Sequence, residues 1–568
     1  MMLQDPSRKY RSFPVLPLTD RVWPTRVIET APIWLSTDLR DGNQALREPL
    51  GIALKREFFA RLCAIGFREI EVGFPSASRT EFDFVRGLID ESLVSADVTI
   101  GALTPARPEL ITRTILALKG ARRAIVHIYN AISPVFRDVV FKKDKAAVVA
   151  MAVDAVRHAR LLTRNFPETE WVLQYSPEDF SAAEIAFSKG ICDAVVAAWE
   201  PDPGERVIIN LPATVEMSTP NVFADQVEWM HRHLAQRDAI ILSVHPHNDR
   251  GTAIAAAELA LMAGAQRVEG CVLGNGERTG NVDLLVLAMN LYTQGVAPGL
   301  DFSDIDDLAA TVARLTGLPV SPRHPYVGEL VYTAFAGSHQ DAIKKGLAAQ
   351  APRTLWRVPY LPLDPADVGR DYEAVIRVNS QSGKGGLAYI LETHYGIVLP
   401  RPMLMELSAA VQTLADETGR EITPEQIWQV FSNHYLDDRG LARYVGHDWS
   451  GEPQTNPMHL TLIVAGITTR YEGHGNGPLD AAAHALPIPV RVCHYEERSC
   501  ASGSSAEALA VVAVEPWAGG PVVFAAGIHT NIVTAGLLAL VRAWSRLQAK
   551  TAGTAGPATG EGASWAMG

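Results

Sequence analysis

Ile240-Ile-Leu-Ser-Val-His-Pro-His-Asn-Asp249 is an apolar run that breaks off into histidines, an amide and a carboxylate. Side chains two apart on an extended chain share a side, so His245 and His247 present both imidazoles to one centre at the exit of a buried strand. The same pattern occurs earlier. Ile33-Trp34-Leu35 leads into Leu39-Arg-Asp-Gly-Asn-Gln44, where Asp41 offers a carboxylate. One Asp and two His leave open positions on a divalent metal for substrate and water. Arg40 puts a permanent positive charge where an oxyanion can form. Together these residues predict a metal-assisted carbonyl reaction, with a hydrogen-bonded structural His pair as the bland alternative.

Outward from these two stretches, short apolar runs recur at 33–37, 69–73, 98–103, 124–129, 171–175, 207–211, 239–244 and 268–273, most followed by a helix-like segment. Strand–helix alternation implies parallel βαβ units, and eight of them predict a closed (β/α)8 barrel. An open doubly wound sheet is the rival, but no Gly-x-Gly-x-x-Gly follows the first run. The predicted strand ends carry Arg40-Asp41, His127, Ser176 to Glu178, Asn210 to Thr214, His245 to His247 and 274–281, so the polar residues fall on the rim where barrel enzymes work. His127 alternates with apolar neighbours and reads as pocket rather than core. Glu178 reads as a proton carrier or a helix-capping surface residue. The loop 274–281 could offer backbone N–H groups to an anion, and Lys142, Lys143 and Lys145 could attract an acidic substrate; the bland readings are a turn and a solvated face.

The chain has 568 residues, enough for two or three domains. A formal charge of -12 argues against nucleic acid as a partner. Five cysteines without a CxxC pair suit a reducing compartment, and neither a secretory segment nor a membrane span is expected, which points to the cytosol. After about residue 325 the alternation fades into helical stretches, with a Gly/Ser-rich hinge expected near 375–386. From His459 four apolar runs and two helical stretches, 480–485 and 531–548, predict a small α+β domain. The Gly/Ala/Thr-rich end, 550–568, reads as a disordered tail.

Leu39 to Leu46, Asn210-Leu-Pro-Ala-Thr-Val-Glu216, His245 to Gly251, 274–281 and Gly337-Ser-His-Gln-Asp341 together resemble the alpha-isopropylmalate synthase family, barrel enzymes that condense acetyl-CoA with 2-oxo acids. The resemblance runs from about residue 10 to 548. It implies an N-terminal extension (1–30), a catalytic TIM barrel (31–328), connecting subdomains (329–440) and a C-terminal leucine-binding regulatory domain (441–549). It implies that Asp41, His245 and His247, with Asn281 in support, hold Mg2+, Mn2+ or Zn2+. Arg40 would stabilise the forming oxyanion and Glu178 would serve catalysis, while His127, Ser176, Asn210 and Thr214 line the 2-oxo acid pocket. His339 and Tyr360 would help to enolise acetyl-CoA in the partner subunit of a homodimer. Gly475, Asn476, Gly477, Asn531 and Ile532 mark the effector region for L-leucine. The same chemistry on another 2-oxo acid, giving homocitrate or citramalate, is the near rival, and a non-catalytic leucine sensor the distant one. Asn43, an acid in many other 2-oxo acid condensing relatives, resembles the long isopropylmalate synthases of one branch. The departures from the family pattern are Gln174, where an acid is expected, His529, where relatives often carry Asp, and the stretch Arg498–Ala506.

Overall fold

The computed structural model describes residues 2–352, 354–371, 377–378, 384–438, 440–449, 457–500 and 506–553. It falls into two compact units, Met1–Val331 with Ala366–Arg370, and Tyr332–Pro365 with Asp371–Gly568. In the first, eight parallel strands close into a barrel in chain order: β1 Ile33–Ser36, β2 Glu69–Gly73, β3 Thr99–Pro105, β4 Arg123–Ala131, β5 Glu170–Glu178, β6 Val207–Ala213, β7 Ile240–Pro246 and β8 Arg267–Gly270. Every expected run is a strand, and the open-sheet rival is excluded. These strands are buried on both faces, which is why they read as near-continuous apolar runs. β8 stops at Gly270 rather than running to 273, because Val272–Gly274 turns tightly with Leu273 at φ 61°.

Period-two alternation stacks the barrel interior in layers. Ile125, Val172, Ile208 and Ile241 form a buried apolar floor. Two residues further along the same four strands stand His127, Gln174, Asn210 and Ser243, all buried. Two further stand Tyr129, Ser176, Pro212 and His245, which line a pocket at the strands' C-terminal ends. The N-terminal extension is tied to the barrel through helix Pro220–His233: Arg21 and the Trp23 indole both donate to buried Asp225 at 2.8 Å, and the Val22 N–H donates to Glu228 at 2.9 Å.

The second unit opens with helices Gly337–Ala349, Lys384–Tyr395, Arg401–Thr418 and Pro424–Phe431. Leu391, Met403, Leu407 and Phe431 share one apolar core. Two three-stranded antiparallel sheets follow. The first holds β9 Ala442–Asp448, β10 Met458–Val464 and β11 Ile467–Gly473, then helix Pro478–Ala485. The second holds β12 Val490–Ser499, β13 Ala508–Pro516 and β14 Val523–His529, then helix Ile532–Gly553. This α+β segment has two more strands than the four apolar runs implied. β9 and β11 are edge strands with mostly polar, partly exposed residues, so no apolar run marks them. The last helix continues to Gly553, into the stretch read as tail; residues 554–568 and most of the expected hinge lie outside the described residues.

The two sheets repeat one βββα plan. In each, a glycine on the third strand lets the helix lie against the sheet. A Cβ on Gly473 would stand 2.3 Å from Ala481 O and 2.4 Å from Ala485 N; one on Gly527 would stand 2.0 Å from Ala535 O and 2.8 Å from Ala539 N. The obstructing atoms come eight and twelve residues later in both repeats, and both helices feed a single core with Leu460, Val512 and Trp544. Gly527→Ala is therefore expected to weaken this unit by about 2–3 kcal/mol through overpacking, read as a lower urea midpoint with an unchanged slope.

Candidate active site

β1 ends in a wide, π-type turn, Asp38–Gly42, that carries Arg40 and Asp41. Asp38 anchors the turn, accepting from Ser36 Oγ at 2.7 Å and from the Val272 N–H at 3.1 Å. Asn43 closes it, its Oδ1 accepting the Leu50 N–H at 2.7 Å; a backbone donor is met here by a neutral acceptor. Arg40 Nε donates to Glu71 Oε2 at 2.5 Å and its Nη1 lies 3.2 Å from Asp41 Oδ1.

Asp41 Oδ2 stands 3.1 Å from His245 Nε2 and 3.7 Å from His247 Nε2. Asn281 Oδ1 lies 3.2 Å from His245 Nε2. Ligand atoms of Asp41, His245 and His247 all fall within 4.8 Å of one another, and all three residues are buried. Burial works against the Asp41 charge, but Arg40, and after it His245 and His247, hold its carboxyl well below the usual carboxylate range. Burial also opposes a charge on His245, yet its hydrogen bonds to Asp41 and Glu269 win and push it up to about 9. His247 goes the other way: burial, then the neighbouring His245, lower it to about 4, and its buried Nδ1 has no partner among the described residues. A carboxylate held ionised, an imidazole held neutral with an open nitrogen, an amide oxygen, and acids that draw positive charge onto one spot fit a divalent cation.

Above the apolar floor, His127 Nδ1 meets Glu71 Oε1 at 2.5 Å and its Nε2 meets Ser176 Oγ at 2.7 Å. Asn210 Nδ2 donates to Ser176 Oγ at 2.9 Å, while its buried Oδ1 has no partner among the described residues. Glu178 lines the same pocket; burial, then the neighbouring Asp179, raise its carboxyl above the usual range. Thr214 Oγ1 accepts the Asp179 N–H at 2.9 Å. Arg278, at φ 56°, fastens three rim loops: Nε donates to Asp249 Oδ1 at 2.7 Å, and Nη2 to Thr214 O at 2.5 Å. Arg278→Met is expected to raise the KM of the substrate this pocket takes about fivefold with kcat nearly unchanged, since a half-exposed charged hydrogen bond is worth ~1 kcal/mol; steady-state kinetics checks this.

The barrel thus brings together Arg40, Asp41, His127, Ser176, Glu178, Asn210, Thr214, His245, His247 and Asn281. His339 and Tyr360 lie in the second unit, their rings stacked 4.0 Å apart. Glu71, Tyr129, Glu269 and Arg278 escaped the sequence reading. The signal for two of them was present: Glu69-Ile-Glu71 and Arg267-Val-Glu269 put charges at alternate positions of predicted interior strands, where they must pair across the barrel.

Three family models match the chain: HMGL-like over residues 31–312, alpha-isopropylmalate synthase post-catalytic domain-like over 329–392, and LeuA allosteric (dimerisation) domain over 421–548. Proteins named 2-isopropylmalate synthase from Paraburkholderia phytofirmans and Parvibaculum lavamentivorans are 55% and 54% identical, covering 97% of this chain and 97% and 98% of their own lengths. One from Pseudomonas syringae is 52% identical over 97% of this chain and 99% of its own. The chain belongs to the 2-isopropylmalate synthase family. Its LeuA-type segment contains the expected effector residues in two loops. Gly475-Asn476-Gly477 leads into helix Pro478–Ala485, with the Asn476 N–H donating to Asp480 Oδ2 at 2.9 Å. Asn531 precedes the last helix, its Oδ1 accepting the Thr534 N–H at 3.0 Å, and Ile532 begins that helix half-exposed. His529 Nδ1 accepts the Asn531 N–H at 2.9 Å.

Proposed function

We propose that the chain condenses acetyl-CoA with 3-methyl-2-oxobutanoate and, with one water, releases (2S)-2-isopropylmalate and CoA, the first committed step of leucine synthesis. The convergence of Asp41, His245 and His247 beside Arg40 at a barrel mouth carries this reading. Asp41, His245 and His247, with Asn281, would hold a divalent cation (Mg2+, Mn2+ or Zn2+), which would supply Lewis-acid polarisation of a 2-oxo acid carbonyl. Arg40, fixed between Glu71 and Asp41, faces the charge that grows on that oxygen as the new carbon–carbon bond forms. The open Asn210 Oδ1, with His127, Ser176 and Thr214, orients the 2-oxo acid. Glu178, its carboxyl raised by burial and then Asp179, is the proton carrier. His339 and Tyr360 act on the acetyl methyl proton in the partner subunit of a homodimer, and L-leucine binds at the 475–477 and 531–532 loops as effector. No helix among the described residues is long and apolar enough to cross a membrane, and the reaction is assigned to the cytosol.

The test is CoA release with a panel of 2-oxo acids, with and without leucine. 3-Methyl-2-oxobutanoate should give the highest kcat/KM. Greater efficiency with pyruvate or 2-oxoglutarate would make the chain a citramalate or homocitrate synthase, and leucine binding without turnover in the presence of metal would make it a sensor.

A further inference from the structure

Gln174 is a fully buried amide in the charged middle layer of the barrel, between groups of opposite hydrogen-bonding character. Arg267 can only donate; its Nη2 gives to Gln174 Oε1 at 3.1 Å. The Glu269 carboxylate accepts, and Gln174 Nε2 gives to its Oε1 at 2.7 Å. An amide is the side chain that satisfies both neighbours without adding charge. A Glu at this position would set one carboxylate against another.

Glu269 Oε1 also accepts from Ser243 Oγ at 3.0 Å and from Arg267 Nη1. With three donors on that oxygen, the carboxylate is turned so that Oε2 faces His245 Nδ1 at 3.3 Å. The far side of the same imidazole, Nε2, is the one beside Asp41 and Asn281. Gln174 Nε2 lies 3.2 Å from His127 Nε2 as well, but both His127 nitrogens are already engaged by Glu71 and Ser176, so this is packing on the ring.

From this geometry we propose that Gln174 is a positioning residue for the metal site, acting through Glu269 to fix the orientation of His245. The proposal rests on the reading of His245 as a metal ligand. Groups one layer behind a ligand change metal affinity by about 10–100-fold when removed. Gln174→Met keeps the length of the side chain and loses both hydrogen bonds; Gln174→Asn keeps the amide but cannot span both neighbours.

The experiment is direct Mn2+ titration of the full chain, reading free Mn2+ by electron paramagnetic resonance, alongside kcat at saturating Mn2+. Both variants should bind Mn2+ about tenfold more weakly than the parent, with kcat restored to within about threefold at saturating Mn2+. If Gln174→Met does not fold, Gln174→Asn decides. Folded variants that bind Mn2+ within twofold of the parent overturn the proposal, as does a fall in kcat that excess Mn2+ does not repair. A parent chain that binds no Mn2+ overturns the ligand assignment itself, a result distinct from failure of the Gln174 role alone.

Discussion

Asp41→Asn should lower turnover by on the order of 10^3-fold or more, with the barrel still folded, because metal polarisation and templating account for several kcal/mol of such a reaction. Asp41 contributes the only carboxylate of the buried cluster. Arg40 holds it ionised, and a neutral amide offers the cation neither the charge nor a second accepting oxygen. The fold should survive, since Arg40 keeps its 2.5 Å bond to Glu71 after the change. His247→Ala should act alike, and its Nδ1 has no hydrogen-bond partner among the described residues that the change would leave unmet. CoA release, Mn2+ binding and far-UV circular dichroism measured on both variants check the expectation. Turnover within tenfold of the parent, with metal supplied, would remove Asp41 and His247 from the metal centre.

Arg267→Met is the strongest expected blow to stability, about 3–5 kcal/mol. The guanidinium is fully buried and joins four strands: Nε to Glu69 on β2 at 2.6 Å, Nη1 to Glu269 on β8 and to Ser243 on β7 at 3.0 Å, and Nη2 to Gln174 on β5. Burial penalises the Glu269 charge, and Arg267, then His245 and His127, together reverse that and hold the carboxyl well below the usual range. Without it, Glu269 is left buried with only Gln174, Ser243 and His245 beside it, and burial then raises its carboxyl above the range it holds in the parent. A carboxyl raised in the folded state is a stability loss that appears as pH rises, so the deficit of the variant should be full at pH 8 and shrink toward pH 5. Urea unfolding at the two pH values reads this. A variant equally stable at both, or as stable as the parent, would show that the four-strand clasp contributes little.

The barrel was legible because each of its strands is buried on both faces and announces itself as an apolar run. Its rim was legible because catalytic side chains stand where those runs end, as His245 and His247 do after Val244. The middle layer was harder: Glu71, Gln174 and Glu269 lie inside strands and make sense only once β2, β5 and β8 are brought round to face one another. Gln174 looked like an unexplained departure until Arg267 and Glu269 supplied a donor on one side and an acceptor on the other. Beyond the barrel, β9 and β11 were missed because edge strands such as Ile467-Thr-Thr-Arg-Tyr-Glu-Gly473 need no continuous apolar face. Arg278 gave no local signal, since its partners Asp249 and Thr214 come from other loops.

The matched glycines on β11 and β14 mark two halves that share a single core. A single βββα half has only its own helix to lay on its sheet, whereas the two halves together share one core. Joined in tandem, the halves meet at an effective concentration in the millimolar range regardless of how dilute the protein is. Closing the shared core is thereby a step within the folding of one chain, independent of protein concentration.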